Sequence, residues 1–376
     1  MNPRDYHYMA RALQLAARGM YTTDPNPRVG CVIVGRDGEV VGEGWHACAG
    51  GPHAEVNALR QAGERARGAT AYVTLEPCSH YGRTPPCSQA LIETGLGRVV
   101  AAMVDPNPQV SGEGLDQLRA AGIQVECGVM RAQAEEINRG FVARMRRGRP
   151  YVCCKIAASM DARTAMADGA SRWITSEASR CDVQALRARS SAVLTGIGTV
   201  LMDDPALTVR DRDIVEAAGG GTVGVRQPLR VVVDSRLRMP VNARMLSQPG
   251  ATLIATVDGD ADGRAKLQGR DVEMDVLPSV GGRVDLGVLL DRLAARKVNE
   301  VLVEAGAELN GALLKAGLID ELIIYVAPKL MGDGARGMFR LPGLERMDQC
   351  IPLQFTDIRR VGADLRVTAR PGKVPG

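Results

Sequence analysis

Apolar residues at Tyr6, Met9, Ala10, Leu13, Ala17 and Met20 recur at helical spacing, so the pattern predicts an amphipathic helix over residues 3–20. Two strands are expected next, at 29–35 and 39–45, with the Asp37-Gly38 turn marking a hairpin. Pro52 reads as the first residue of a second helix, because its fixed φ suits that position and it has no N–H to leave unpaired. Strands at 71–75, 99–104 and 123–129 then alternate with helices at 88–94, ended by Gly95, and 113–121. Helices alternating with strands predict a layered α/β domain.

The alternation restarts after the basic stretch Arg144-Met-Arg-Arg-Gly-Arg-Pro150, which reads as a solvated helix end and linker. Strands are expected at 151–157, 192–195, 229–234, 300–304 and 321–326, helices at 177–189, 286–296 and 308–316, and a closing hairpin at 354–361 and 364–370. The organisation is therefore two α/β domains, residues 1–147 and 148–376. The tetrapeptide Asp-Pro-Asn-Pro occurs at 24–27 and 105–108, but the flanks differ, so it marks rigid turns and no duplication.

Composition narrows the class. Hydrophobic residues make up 45% and charged residues 24%, as in a soluble globular protein. With 47 basic and 43 acidic residues mixed along the chain, no field arises to attract nucleic acid or a membrane surface. No run of about 18 apolar residues is present, and the N-terminus has no signal-peptide core, so a cytoplasmic location is expected. Nine cysteines, an odd number in a long chain, argue against a disulfide framework. Most read as small buried hydrophobes, including the adjacent Cys153 and Cys154.

Two cysteines stand apart. Cys78 and Cys87, within TLEPCSHYGRTPPCSQAL, flank a strand-to-helix junction, and His53-Ala-Glu55 lies at an earlier helix start. His-x-Glu followed by Pro-Cys and a second Cys is the pattern of zinc nucleobase deaminases, with two thiolates and one imidazole as ligands. In that chemistry zinc makes water nucleophilic near neutral pH, and Glu55, which is not a ligand, moves the protons. A closed zinc site without chemistry is the alternative, and would need a fourth ligand from Cys31, His46, Cys48 or His80.

The eight-residue spacing between the cysteines departs from the short Cys-x-x-Cys of cytidine and tRNA-adenosine deaminases. With Asp24-Pro-Asn-Pro-Arg-Val-Gly-Cys-Val-Ile-Val34 and Gly42-Glu-Gly-Trp-His46, it resembles the deaminase half of the bifunctional pyrimidine deaminase/uracil reductase family of riboflavin biosynthesis. The resemblance covers nearly the whole chain. Asn57 stands where the family often has another His. The resemblance implies that the substrate is 2,5-diamino-6-ribosylamino-4(3H)-pyrimidinone 5′-phosphate. It implies that Asn26 and His46 line the pocket and that Arg83 and Thr84 face the ribosyl phosphate.

In the second half, Gly219-Gly-Gly221-Thr-Val-Gly224 matches a dinucleotide fingerprint as a string, but no strand precedes it and no helix follows, so it reads as a loop. The strand ends at Gly196-Ile-Gly198 and Glu304-Ala-Gly306 are better phosphate cradles. Lys155-Ile-Ala157-Ala-Ser-Met-Asp-Ala-Arg-Thr164, Ser171-Arg-Trp173, Thr199 to Arg210 and Val233-Asp-Ser235-Arg resemble the family's reductase half, with Ala162 where the family usually has glycine.

By that resemblance the fold is a cytidine-deaminase-like three-layer α/β/α domain followed by a dihydrofolate-reductase-like α/β domain. The cofactors are Zn2+ and NADPH. Ala157, Trp173, Thr199, Asp203, Ser235 and Gly306 are expected to touch NADPH; Trp173 reads equally as a core residue. Lys155, Ser171, Arg187, Leu207, Arg210 and Glu304 are expected to hold the substrate. The resemblance further implies a homo-oligomer, dimer or tetramer, acting on a phosphorylated pyrimidine with no nucleic acid or membrane partner. Two readings compete with this one: a single-activity deaminase with an accessory domain, and a zinc-stabilised binding protein. No general acid for the reductase step emerges from the residues.

Overall fold

A computed structural model describes residues 2–80, 85–108, 110–210, 226–257 and 272–372, together with Ile214, Ala265 and Leu267. These residues form two compact units, one up to Gly148 and the other from Arg149 onward.

In the first unit, the order is α1 (Pro3–Ala17), β1 (Gly30–Val34), β2 (Val40–Trp45), α2 (Ala54–Ala62), β3 (Thr70–Val73), α3 (Cys87–Thr94), β4 (Arg98–Ala101), α4 (Glu113–Ala120), β5 (Gln124–Cys127), α5 (Arg131–Ile137) and α6 (Arg139–Arg147). The sheet runs β2-β1-β3-β4-β5. Its first two pairings are antiparallel and the last two parallel.

Period-two alternation builds the three layers. Val32, Val34, Tyr72 and Val100 pack with Met9, Ala12 and Leu13 of α1 and with Ala134 and Val142 of α5 and α6. Cys31, Ile33, Ala71, Val73 and Val99 face the other way, onto Ala54, Ala58 and Ala62 of α2, Leu91 of α3 and Leu115 and Leu118 of α4. Glycine sets how closely α2 approaches β2. A Cβ at Gly42 would stand 2.2 Å from the Ala58 carbonyl oxygen, and one at Gly44 2.3 Å from that of Ala54. The backbone of α2 is thereby pressed against β2, with His53 and Glu55 at its start. The helix itself begins at Ala54 with His53 as N-cap, so Pro52 precedes the helix instead of opening it. Its carbonyl serves as an acceptor for the His46 ring.

The second unit contains β6 (Tyr151–Ser159), β7 (Arg163–Ala165), α7 (Glu177–Arg189), β8 (Ala192–Gly196), α8 (Ile197–Asp203), β9 (Leu229–Val233), β10 (Thr252–Thr256), β11 (Val272–Val276), β12 (Ser279–Val280), β13 (Arg283–Val284), α9 (Leu286–Ala295), β14 (Glu300–Val303), α10 (Ala307–Lys315), β15 (Glu321–Ala327), β16 (Arg336–Gly337), β17 (Leu353–Val361) and β18 (Asp364–Pro371). Among the described residues its main sheet has nine strands, in the order β11-β10-β9-β8-β14-β6-β15-β18-β17. All pairings are parallel up to β15, and the β17–β18 hairpin closes the edge antiparallel.

Both faces of this sheet are covered, as parallel sheets require. Cys153 and Cys154 point to opposite faces. Cys154 packs with Leu289, Leu293, Leu313 and Leu314 from α9 and α10. Cys153 packs with Val183, Leu186, Ile197 and Val200 from α7 and α8. The expected glycine turn after β8 is instead the start of α8, with Gly196 as N-cap. Glycine at 196 and 198 weakens helix propensity and hides the periodicity that would announce it.

In the loop after β6, Ala162 has φ +61°, a left-handed conformation that costs an L-residue about 1–2 kcal/mol. That explains why a glycine suits this position. Ala162→Gly should raise stability to urea by about 0.5–1 kcal/mol, since part of the relief is offset by the greater freedom of glycine in the unfolded chain. A lower unfolding midpoint would contradict this.

Candidate active sites

The first site is assembled from two helix starts. His53 caps α2 and Cys87 opens α3, while Cys78 lies on the turn after β3. The N–H of Cys87 donates to Cys78 Sγ at 3.3 Å, and the N–H and hydroxyl of Ser88 both donate to the Cys78 carbonyl at 3.1 Å. His53 Nδ1 stands 3.2 Å from Cys87 Sγ and 3.6 Å from Cys78 Sγ. The three ligand atoms lie within 4.8 Å of one another, and among the described residues the group stops at three.

The electrostatics suit a metal. The hydrogen bond from the Cys87 thiol holds the Cys78 thiol down at about 4, against burial and with help from His53. The same pairing, together with burial, pushes Cys87 up. The bond to Cys78 also raises His53. Two thiol ligands and one imidazole match the donor set of a catalytic zinc site, in which the fourth position is left to water or substrate.

Of the residues considered as a fourth ligand, Cys31 is buried, and burial, followed by Glu55, raises its thiol well above the usual range. His46 is committed elsewhere. Its Nδ1 is 3.0 Å from the Pro52 carbonyl, so this nitrogen donates and Nε2 accepts from the Asn26 amide at 3.1 Å. The His46 ring stands edge-on to His53, with centroids 5.5 Å apart. His80 is exposed.

Glu55 is 3% exposed beside this group. Burial raises its carboxyl to about 7, with the Cys78 charge adding and His53 opposing. A carboxyl near neutrality can both accept and return a proton. Asn57 donates to the Trp45 carbonyl at 2.9 Å and so ties α2 to β2. Arg83 and Thr84 lie outside the described residues, as does the loop 219–224.

Sequence reasoning missed Glu76, two residues before Cys78. Its buried carboxylate accepts from the backbone N–H of Asp105, Gly112 and Gly114 at 2.9, 3.0 and 2.9 Å. A Cβ at Gly114 would meet the Pro77 carbonyl oxygen at 2.0 Å, so the cysteine turn and the start of α4 are fitted to one another.

The second group forms where β6, α7 and β14 converge. Glu304, 9% exposed, lies just past β14. Arg187 of α7 grips its carboxylate through two nitrogens, Nη2 at 3.0 Å and Nε at 2.5 Å, while Arg187 Nη1 donates to the Thr208 carbonyl at 3.1 Å. Lys155 Nζ of β6 lies 3.2 Å from the same carboxylate. Burial alone would raise Glu304, but Arg187 and Lys155 hold it at about 2. Leu207 is buried with φ +50°, a strained conformation for a branched side chain, next to the residue whose carbonyl Arg187 grips. The exposed Arg210 is shifted down by burial and by the neighbouring Arg187 and Arg244.

The other expected contacts are placed as follows. Ser171 donates to Asp203 at 3.0 Å. Thr199 Oγ1 is 3.9 Å from the point where a Cβ on Gly306 would stand, which brings the starts of α8 and α10 together. Ser235 accepts from the Val284 N–H at 3.1 Å. Ala157 lies half-buried within β6. Trp173 is 66% exposed with the Arg180 guanidinium over its ring at 4.5 Å, so it is no core residue. Asp161, also missed in the sequence, accepts from the N–H of Met331 and Gly332 at 3.1 and 2.8 Å and ties the Ala162 loop to the segment after β15.

Glu304 also has a pH signature. Its carboxyl sits below the ordinary value of 4.5, so the stability it contributes is full above that pH and is lost as pH falls toward about 2. Urea denaturation at pH 5 and pH 3 should show a smaller loss for Glu304→Gln than for the parent. An equal loss in both would place the titration elsewhere.

Two family models match the chain. Residues 3–103 fit the cytidine and deoxycytidylate deaminase zinc-binding region. Residues 150–367 fit the RibD C-terminal domain. The riboflavin biosynthesis protein RibD of Escherichia coli is 54% identical over 364 residues, 96% of this chain and 98% of that one. Its counterpart in Haemophilus influenzae is 48% identical over 371 residues, 98% of each chain. Among solved structures, Acinetobacter baumannii RibD superposes with a TM-score of 0.89 at 45% identity, covering 98% of this chain and 99% of the other. A Thermotoga maritima diaminohydroxyphosphoribosylaminopyrimidine deaminase/5-amino-6-(5-phosphoribosylamino)uracil reductase does so at 0.84 and 32%, with the same coverage.

Proposed function

The chain belongs to the RibD family of bifunctional riboflavin-biosynthesis proteins, and from that premise we propose which of its residues carry the two reactions. It is a zinc-dependent pyrimidine deaminase and an NADPH-dependent reductase. The first activity removes ammonia from 2,5-diamino-6-ribosylamino-4(3H)-pyrimidinone 5′-phosphate, and the second converts the ribosyl group to a ribityl chain.

In the deaminase, His53, Cys78 and Cys87 hold zinc, a Lewis acid that makes water nucleophilic near neutral pH. Glu55 takes the proton from the attacking water and delivers protons to the ring nitrogen and the departing amine. The observation that carries this role is a fully buried carboxyl raised to about 7 beside the ligands. Asn26 and His46 hold the pyrimidine.

In the reductase, NADPH supplies the hydride. Ala157, Trp173, Thr199, Asp203, Ser235 and Gly306 line its path. Gly198 supports this, since a Cβ there would meet nothing within 4 Å among the described residues, which leaves space for a ligand. Glu304, Lys155 and Arg187 present an ordered charged group to the ribosyl chain. Ser171, Leu207 and Arg210 complete the pocket. Arg210 suits the substrate phosphate because it is an exposed guanidinium beside Arg187 and Arg244, where positive charge gathers. The deaminase match ends at residue 103 and the reductase match begins at residue 150, an order that supports a deaminase followed by a reductase.

The subunits form a homo-oligomer. Support comes from β17, an edge strand whose Leu353, Phe355 and Ile358 are 42%, 62% and 58% exposed. A long edge bearing apolar side chains favours pairing with another copy. In light scattering, Phe355→Glu should lower the particle mass to that of one chain. An unchanged mass would remove β17 from the interface.

A coupled assay tests the catalytic reading. Given the diaminopyrimidine phosphate, the protein should release ammonia without NADPH and consume NADPH when it is added. Glu55→Gln should keep its zinc but lose about 10²–10⁴-fold in ammonia release. It should still consume NADPH when given the deaminated intermediate. Unchanged deamination by that variant would overturn the role of Glu55.

A further inference from the structure

We propose that Asn138 is a positioning residue of the deaminase pocket, holding Asn26 and through it the His46 imidazole. The inference rests on the reading that Asn26 and His46 contact the pyrimidine.

Asn138 lies between α5 and α6 and is 2% exposed. Its side chain reads both backbone groups of one distant residue. Oδ1 accepts from the Arg28 N–H at 2.7 Å, and Nδ2 donates to the Arg28 carbonyl at 2.9 Å. An amide side chain is the group that offers an acceptor and a donor side by side, so the match with a peptide unit is specific. The Arg28 side chain returns the grip, with Nη1 donating to the Ile137 carbonyl at 2.8 Å and Nε to the Met20 carbonyl at 3.2 Å. The segment carrying Asn26 is therefore clamped by the α5–α6 junction, two residues from the amide that matters.

The clamp continues toward the pocket. The Asn26 N–H donates to the Thr23 carbonyl at 2.8 Å, and its side-chain amide donates to His46 Nε2 at 3.1 Å. The opposite ring nitrogen is fixed by the Pro52 carbonyl, next to the zinc ligand His53. His46 is also held through its backbone, whose N–H donates to the Val29 carbonyl at 2.9 Å. Each member has few alternatives because each is buried or already bonded. Removing the Asn138 amide would take away the acceptor that the Arg28 N–H uses and the donor that the Arg28 carbonyl uses, and the segment would shift to regain such bonds. A small displacement at a substrate contact lowers activity without touching the metal or the proton carrier.

The test uses the full chain and its two activities. Asn138→Ala should raise the deaminase KM about tenfold while kcat changes little, and the zinc content should stay at that of the parent. NADPH consumption with the deaminated intermediate reports that the chain is folded and should be unchanged. Asn26→Ala combined with Asn138→Ala should be no worse than Asn26→Ala alone, because both substitutions break the same path. If the alanine variant does not fold, the isosteric Asn138→Asp carries the test. It keeps the acceptor for the Arg28 N–H but sets an oxygen against the Arg28 carbonyl, and should also raise KM. A parental KM in the Asn138 variants, with Asn26→Ala impaired, would overturn the positioning role and leave the reading of Asn26 standing. Effects that multiply in the double variant would overturn it as well. A parental KM for Asn26→Ala would show that the pocket reading itself is wrong.

Discussion

Three soft ligands from distant parts of the sequence must stand within 4.8 Å of one another, and the first unit is organised around meeting that demand. One buried thiol, one half-buried thiol and a half-buried imidazole gain little by crowding together on their own, so the backbone has to hold them there. It does so at both ends. Glycines 42 and 44 let α2 press onto β2, which fixes His53 and Glu55. The start of α3 grips Cys78 through two N–H groups and a hydroxyl, and Glu76 locks the preceding turn to α4. A methyl group at Gly44 would push directly on Ala54, the residue between His53 and Glu55.

The second unit solves a different problem, the burial of charge. Glu304 is held between Arg187 and Lys155, so two cations surround one anion and the cluster keeps a surplus positive charge beside Arg210. Such a surplus attracts a phosphorylated substrate, while the pairing prevents any member from being left buried alone. The strained backbone at Leu207 and Ala162 falls on loops flanking this region, where unfavourable conformations are kept because the surrounding structure over-determines them.

Much of this was legible along the chain. Amphipathic spacing placed α1, and period-two alternation with turn residues placed β1 and β2. Apolar runs such as that around Lys155 announced strands, expected there over 151–157. The ligand triad and Glu55 were legible because metal chemistry admits few residue types and the spacing of Cys78 and Cys87 is distinctive. Strands β10 and β11 and helix α8 were not. The first two are short and embedded in Gly- and Asp-rich surroundings, and α8 begins on glycines. The capping role of Glu76 and the clasp of Asn138 on Arg28 were invisible because they join positions 29–38 and 110 residues apart in sequence, and no local pattern records such a pairing.

The sequence by itself determined part of the chemistry: which side chains can bind zinc and which can carry a proton. Those properties belong to residue types and short spacings, and folding does not alter them. Only the tertiary structure decided the environment of each group. It showed that Glu55 is buried enough to sit near neutrality and that Arg187 is occupied by Glu304. It also turned Trp173 outward and bound His46 to Asn26 instead of to the metal. Burial, hydrogen-bond partners and charge neighbours come from segments that meet only when the chain is folded, and they set what each side chain can do.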